Sequence, residues 1–181
     1  VIGSNGAGKS TLLNTIAGEV IPDSGQIRID DEVVTQQTTN LRAQHVARVF
    51  QDPVAGTCAN LTIAENLALA LRRGKKRSLN QAIGARSRNL FKELLKPLNL
   101  GLENRLDTLM AMLSGGQRQA VSLLMATSSP LKILLLDEHT AALDPKTSKF
   151  VMELTNRIVK EKGLTTLMVT HSLSQALQYG S

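Results

Sequence analysis

Two hydrophobic periods alternate along the chain. Residues 46–50, 132–136 and 165–170 are short, almost unbroken apolar runs, the pattern of strands buried on both faces of a parallel sheet. Residues 26–29 and 33–34 alternate apolar with polar around Asp30-Asp31 and predict a small hairpin. Pro22-Asp23-Ser24-Gly25 ahead of them is a turn. Helical spacing covers 9–17, stopped by Gly18, and 115–128. Thr62-Ile63-Ala64-Glu65 is a capping box opening a helix that reaches about Leu71. A further helix is expected over 79–96, ending before Pro97. Pro145 opens another, running to about Lys162. This alternation predicts an α/β fold with a mostly parallel central sheet and a small antiparallel β element. The helix-rich middle, from Pro53 to Ser129, predicts an inserted α-helical subdomain.

Length and composition narrow the picture. A chain of 181 residues suits one domain with a small insertion and can bury a sizeable core. No apolar run approaches the roughly 20 residues that cross a bilayer. Three Phe, one Tyr and no Trp argue against a nucleic-acid module built on stacked rings. The single Cys58 excludes an internal disulfide and a cysteine-based zinc site. It belongs to no motif, nor does His45. His45 is read as structural or surface, and Cys58 as a small buried or half-buried residue.

The net charge of +6 is local. Five basic residues sit in Arg72-Arg73-Gly74-Lys75-Lys76-Arg77; without them 16 basic residues meet 15 acidic ones. The run is read as a solvated loop after a helix, with anionic lipid or an acidic partner as the sharper alternatives. No basic stripe extends it as nucleic-acid binding requires, so no nucleic-acid partner is expected.

Gly3-Ser4-Asn5-Gly6-Ala7-Gly8-Lys9-Ser10 fits G-x-x-x-x-G-K-[ST]. It lies between Val1-Ile2, read as the end of a buried strand, and a helix, which is where a phosphate loop belongs. Its glycines let backbone N–H groups wrap phosphate oxygens, and the helix N-terminus adds partial positive charge. Lys9 can reach β and γ phosphates, and the Ser10 hydroxyl suits Mg2+. Asp137 ends the strand 132–136, where a carboxylate can hold Mg2+ directly or through water. Glu138 follows and points to the other side of the strand, so one of the two carboxylates can serve the metal and the other polarise water as a general base.

Five further motifs carry a family resemblance. Leu113-Ser114-Gly115-Gly116-Gln117 resembles the signature motif of the ATP-binding-cassette (ABC) ATPases, with Ser114 a good helix N-cap. Val49-Phe50-Gln51-Asp52-Pro53 resembles their Q-loop, and 134–138 their Walker B strand. Ala142-Leu143-Asp144 resembles their D-loop, and Val169-Thr170-His171-Ser172 their H-switch. The motifs stand in the family's order over essentially the whole chain.

The resemblance implies a P-loop NTPase with a RecA-like α/β core (1–52 and 130–181) and a helical subdomain (53–129) carrying the signature. It implies ATP and Mg2+ as cofactors, and a head-to-tail homodimer with two ATP at its interface. Gly3, Ser4, Asn5, Gly6, Ala7, Gly8, Lys9, Ser10, Thr11 and Gln51 would bind ATP, with Ser10, Gln51 and Asp137 on the metal. Glu138 would be the catalytic base, and His171 would contact the γ-phosphate. Ser114, Gly115, Gly116 and Gln117 would face ATP held by the other subunit, with their glycines allowing close approach. Asp144 would link the two sites.

The role implied is to power solute import across the bacterial cytoplasmic membrane. Integral membrane permease subunits would dock a short helix in a groove beside the Q-loop. A periplasmic or lipoprotein solute-binding protein would complete the system, and the chain would sit at the cytoplasmic face. The alternative is an ABC ATPase without a membrane partner, of the translation-factor type. Repair-type members need long coiled coils, but Lys9 to Ser114 is only 105 residues without a heptad run. A generic P-loop kinase does not explain the signature or H-switch.

Two departures from the family pattern matter. His139 replaces the proline that usually follows the Walker B glutamate, and is expected to be a substitution that does not touch phosphate. The same Asp-Glu-His-Thr variant is similar to that of a poorly characterised import branch linked to amino-acid or similar solute uptake. The family's adenine-stacking aromatic and the β-region upstream of the loop also have no counterpart here. The 181 residues are therefore expected to be the catalytic middle of a longer cassette, unstable or weak in ATP binding alone.

Overall fold

The computed structural model describes residues 1–4, 6–75 and 81–180. Asn5 of the phosphate loop, Lys76 and Arg77 of the basic run and the first residues of the helix expected over 79–96 lie outside them. The chain runs α1 (Lys9–Ala17), β1 (Arg28–Ile29), β2 (Glu32–Val33), α2 (Thr39–Arg42), β3 (Val46–Val49), α3 (Ile63–Ala70) and α4 (Ala85–Leu95). It continues through α5 (Gly115–Thr127), β4 (Ile133–Asp137), α6 (Pro145–Lys162), β5 (Thr165–Val169) and α7 (Leu173–Tyr179).

Strands β3, β4 and β5 form a parallel sheet in that order, and β1 pairs antiparallel with β2. Val46 faces Ile133 and Val49 faces Leu136; Ile133 faces Thr165 and Asp137 faces Val169. The period of two sorts the side chains onto two faces. Ala47, Val49, Leu134 and Leu136 join Ile63, Leu67, Phe91, Leu95, Ala120, Leu123 and Leu154 in one cluster that runs from the sheet through α3, α4, α5 and α6. Val46, Leu135 and Val169 pack on the other face against Leu13 of α1, Ile29 and Val34. Leu134, Leu135 and Leu136 are all buried, which explains the unbroken apolar run. Each such leucine contributes about 1.5–3 kcal/mol by leaving water.

Several expectations are corrected. α4 starts at Ala85 rather than 79, because Gly84 stands at its N-cap with an extended backbone. The end of α4 is as expected, before Pro97: the helix stops at Leu95 and Lys96–Leu98 follows as a 3-10 turn, which the proline's fixed φ suits. β2 is shifted by one residue from the expected 33–34. β5 is less buried than its apolar run suggested, with only Val169 fully enclosed, since it lies at one edge of the sheet. Arg42 was not foreseen as a core residue. It is fully buried, donating from Nη1 to the Ile16 carbonyl at 2.8 Å and from Nη2 to the Val34 carbonyl. It thereby clamps the end of α1 to the hairpin.

Candidate active site

The phosphate loop leaves the sheet at the carboxyl end of its strands. The Val1 amino group donates to the Met168 carbonyl at 2.7 Å, and the Thr170 N–H donates to the Val1 carbonyl at 3.3 Å. Val1 thus lies along the end of β5, and the loop that follows opens where Asp137, Glu138 and His171 also emerge. In parallel sheets this is the end where ligands bind.

Gly6 and Gly8 both adopt φ 83°, the left-handed region that favours glycine. Gly8 is the N-cap of α1 and offers no side chain, so among the described residues the first N–H groups of the helix have no side-chain cap. Lys9 Nζ donates to the Gly3 and Ser4 carbonyls, both at 2.9 Å, and so spans the loop. Ser10 and Thr11 are exposed in the first turn of α1.

The two adjacent carboxylates take different partners. Asp137 Oδ2 accepts from Arg48 Nη2 at 2.6 Å. Glu138 Oε1 lies 2.6 Å from His171 Nε2, with the glutamate side chain 15% exposed and the histidine 49%. The backbone turns sharply between them, since Glu138 has φ 46°, a costly conformation for a side-chain-bearing residue. Its N–H donates to the Val169 carbonyl at 3.0 Å, which holds the turn against the end of β5. A cleft of about 300 Å³ opens beside Glu138 and His171, walled by Thr140, Leu143, Ser148 and Gln175.

His139 is buried and anchors this turn to α6. Its Nε2 lies 3.1 Å from Thr155 Oγ1. Thr155 gives its only hydroxyl proton to the Val151 carbonyl at 2.7 Å, so the imidazole N–H must be the donor. Burial pushes the His139 pKa down to about 4 and keeps the ring neutral.

The signature residues open α5. Ser114 Oγ accepts from the Gln117 N–H at 3.2 Å and the Gln117 side chain returns the bond, a complete capping box. Ser114 and Gly115 are exposed, but Gly116 is buried: a Cβ on it would overlap Thr147 Cγ2 of α6. That glycine is required by helix packing as well as by any approach to phosphate. Asp144 of the expected D-loop is the N-cap of α6, its Oδ1 accepting from the Thr147 N–H at 3.1 Å. Gln51 is exposed and makes no side-chain hydrogen bond among the described residues. Sequence reasoning missed Gln119, buried in α5, whose Nε2 donates to the Phe50 carbonyl at 3.1 Å and ties the signature helix to the Q-loop. It also missed Arg48; a charge inside the apolar run 46–50 was the available signal.

A groove of about 1130 Å³ runs between α2, the loop after Gln51 and the end of α3. Leu41 and Leu69 are exposed on it, and Arg72, Arg73 and Lys75 line it, so three residues of the basic run border a cavity. Cys58, expected to be buried or half-buried, is exposed in the same groove. Among the described residues no helix is long and apolar enough to cross a membrane.

A glycine loop spanned by its lysine, an uncapped helix N-terminus and two carboxylates at the carboxyl end of a parallel sheet define a P-loop nucleotide-binding protein. The family model described as ABC transporter matches residues 1–141, and the chain belongs to that family, whose ATP-binding proteins are ATPases. It is 54% identical over 180 residues to a tyrosine transport ATP-binding protein of Clostridioides difficile, covering 99% of this chain and 71% of that one. It is 37% identical over 178 residues to the thiamine import ATP-binding protein ThiQ of Photobacterium profundum, covering 98% and 69%. The ThiQ of Escherichia coli O6:K15:H31 is 38% identical over 176 residues, covering 97% and 71%.

Proposed function

We propose that this chain is the ATP-hydrolysing subunit of a bacterial importer for an amino acid or similar small solute. The observation that carries the catalytic part is the Glu138–His171 contact at the mouth of the phosphate loop. The cargo reading rests on the tyrosine transport relative, at 54% identity.

The residues present fit Mg2+ and ATP. Glycines with positive φ and a free helix N-terminus suit phosphate oxygens. One carboxylate with a hydroxyl and an amide suits Mg2+, which keeps few protein ligands when phosphate supplies the rest. Bound Mg2+ neutralises charge on the phosphates and ATP supplies the phosphoryl group. Lys9 exchanges the Gly3 and Ser4 carbonyls for β- and γ-phosphate oxygens. Ser10, Gln51 and Asp137 would hold the metal. Glu138 accepts the proton of the attacking water, and His171 fixes the Glu138 carboxylate and reaches toward the γ-phosphate. Ser114, Gly115, Gly116 and Gln117 make no hydrogen bond to the phosphate loop of their own chain among the described residues. This supports their use in a second copy, in a head-to-tail dimer enclosing two ATP, with Asp144 near the junction.

The groove bordered by Leu41, Leu69, Arg72, Arg73 and Lys75 would take a short helix of an integral membrane permease at the cytoplasmic face. The Gln119–Phe50 bond connects that groove to the signature helix. A solute-binding protein would deliver cargo on the far side. The translation-factor alternative has no comparable support, since the matched relatives are named for transport and import.

Light scattering with the full chain tests the dimer. Glu138→Gln should dimerise on adding ATP, and Ser114→Arg in that background should abolish it. A monomer in saturating ATP would contradict the arrangement.

A further inference from the structure

We propose that Arg48 is the positioning residue of the Mg2+ site: one guanidinium ties together the elements that carry the three side chains assigned to the metal. The inference rests on the assignment of Ser10, Gln51 and Asp137 made above. Arg48 lies in the middle of β3, on the face turned toward α1, and its side chain is only 11% exposed. Its nitrogens reach in two directions. Nη2 donates to Asp137 Oδ2 at 2.6 Å, at the end of β4. Nη1 donates to Asn14 Oδ1 at 2.7 Å. Asn14 stands one helical turn beyond Ser10 on α1. The Arg48 Cζ is also 4.8 Å from the centre of the Phe50 ring, the residue before Gln51. Glu19, at 3.6 Å from Nη1, adds a second carboxylate facing the cation.

The arrangement constrains the metal carboxylate. A charge-assisted bond on Oδ2 sets the plane of the Asp137 group and leaves Oδ1 without a protein donor among the described residues. The same cation sets the spacing between β4 and the helix of Ser10. Removing the guanidinium alone leaves the largely buried Asp137 carboxylate unpaired and costs stability, so the positioning role is read from metal dependence and not from stability. Outer partners of metal ligands, by contrast, commonly change metal affinity by about 10- to 100-fold.

The test is equilibrium binding of a fluorescent ATP analogue to the full chain, once with excess Mg2+ and once with EDTA. The readout is the ratio of the two affinities. Arg48→Met should lower that ratio about tenfold while the EDTA affinity moves by less than about twofold. Arg48→Lys keeps the charge but cannot bridge both partners, and should lower it less. Asn14→Ala spares the Asp137 pair and cuts only the tie to α1; a drop of about threefold is expected. If circular dichroism shows that Arg48→Met does not fold, Arg48→Lys and Asn14→Ala decide the matter. An unchanged ratio, or equal losses with and without Mg2+, would overturn the proposal. Asp137→Asn separates the two levels. If it leaves the ratio intact, the metal assignment itself fails; if it abolishes the ratio's excess and the Arg48 variants do not change it, only the positioning role fails.

Discussion

Gly116 offers a test in which the sign of an effect reverses. The residue sits in the first turn of α5, and a methyl group there would overlap Thr147 Cγ2. The next nearest atoms, Thr147 Cβ at 3.5 Å and Oγ1 at 3.8 Å, are at ordinary contact distance. The conflict therefore comes from a single methyl group. Both backbones belong to packed helices, so relief requires Thr147 to leave its rotamer or α5 to move from α6. Overpacking of this kind costs about 1–3 kcal/mol. Opposing it, replacing a helical glycine by alanine gains up to about 1 kcal/mol in propensity. Gly116→Ala should thus destabilise the wild-type chain by up to about 2 kcal/mol net. In a Thr147→Ala background the clash is gone and only the propensity gain remains, so the same change should be neutral or stabilising. Urea unfolding of the four proteins of the cycle, followed by circular dichroism at matched m-values, gives the coupling directly. A Gly116→Ala cost of equal size in both backgrounds would refute the packing explanation.

Other predictions follow from single contacts. Arg42→Met should leave the part-buried Ile16 carbonyl without its donor, while the Val34 carbonyl keeps the Gln37 N–H, and cost about 1–3 kcal/mol in urea unfolding. His139 has a folded pKa near 4, below its ordinary 6.5, so the unfolded chain takes up the proton first as pH falls. Its contribution is complete above about pH 6.5 and is lost progressively toward pH 4, about 3 kcal/mol in all. His139→Asn, measured by urea unfolding in EDTA at pH 7.5 and 5, should lose less stability over that interval than wild type; an equal loss contradicts the burial account. Cys58 should react readily with maleimide in the free chain and slowly once permease subunits are assembled. Equal labelling rates would place the docking surface elsewhere.

What could be read from the residues followed the physics of each signal. The helix Pro145–Lys162 was foreseen at both ends, because proline and glycine punctuate them. The capping box at Thr62 and the buried run of β4 were equally local signals. The start of α4 was misplaced because residues 81–84 carry no strong breaker before Gly84, and propensity alone extended the helix. Among site residues, the phosphate loop and the Asp137-Glu138 pair were recognisable by spacing. Their partners were not: Arg48, Thr147 and Gln119 act across 89, 31 and 69 positions of chain, respectively, to Asp137, Gly116 and Phe50. No periodicity in one sequence encodes such pairings. The positive φ at Glu138 was likewise invisible, since glutamate is not a residue that announces a left-handed turn.

The central claim is that Glu138, held by His171, removes the proton from water at a γ-phosphate bound by the Gly3–Ser10 loop. ATP hydrolysis by Glu138→Gln, measured with the permease complex assembled and ATP binding determined in parallel, tests it most directly. The account predicts a fall of about 10²- to 10⁴-fold in kcat with ATP binding retained. Hydrolysis at the wild-type rate by that variant would contradict it.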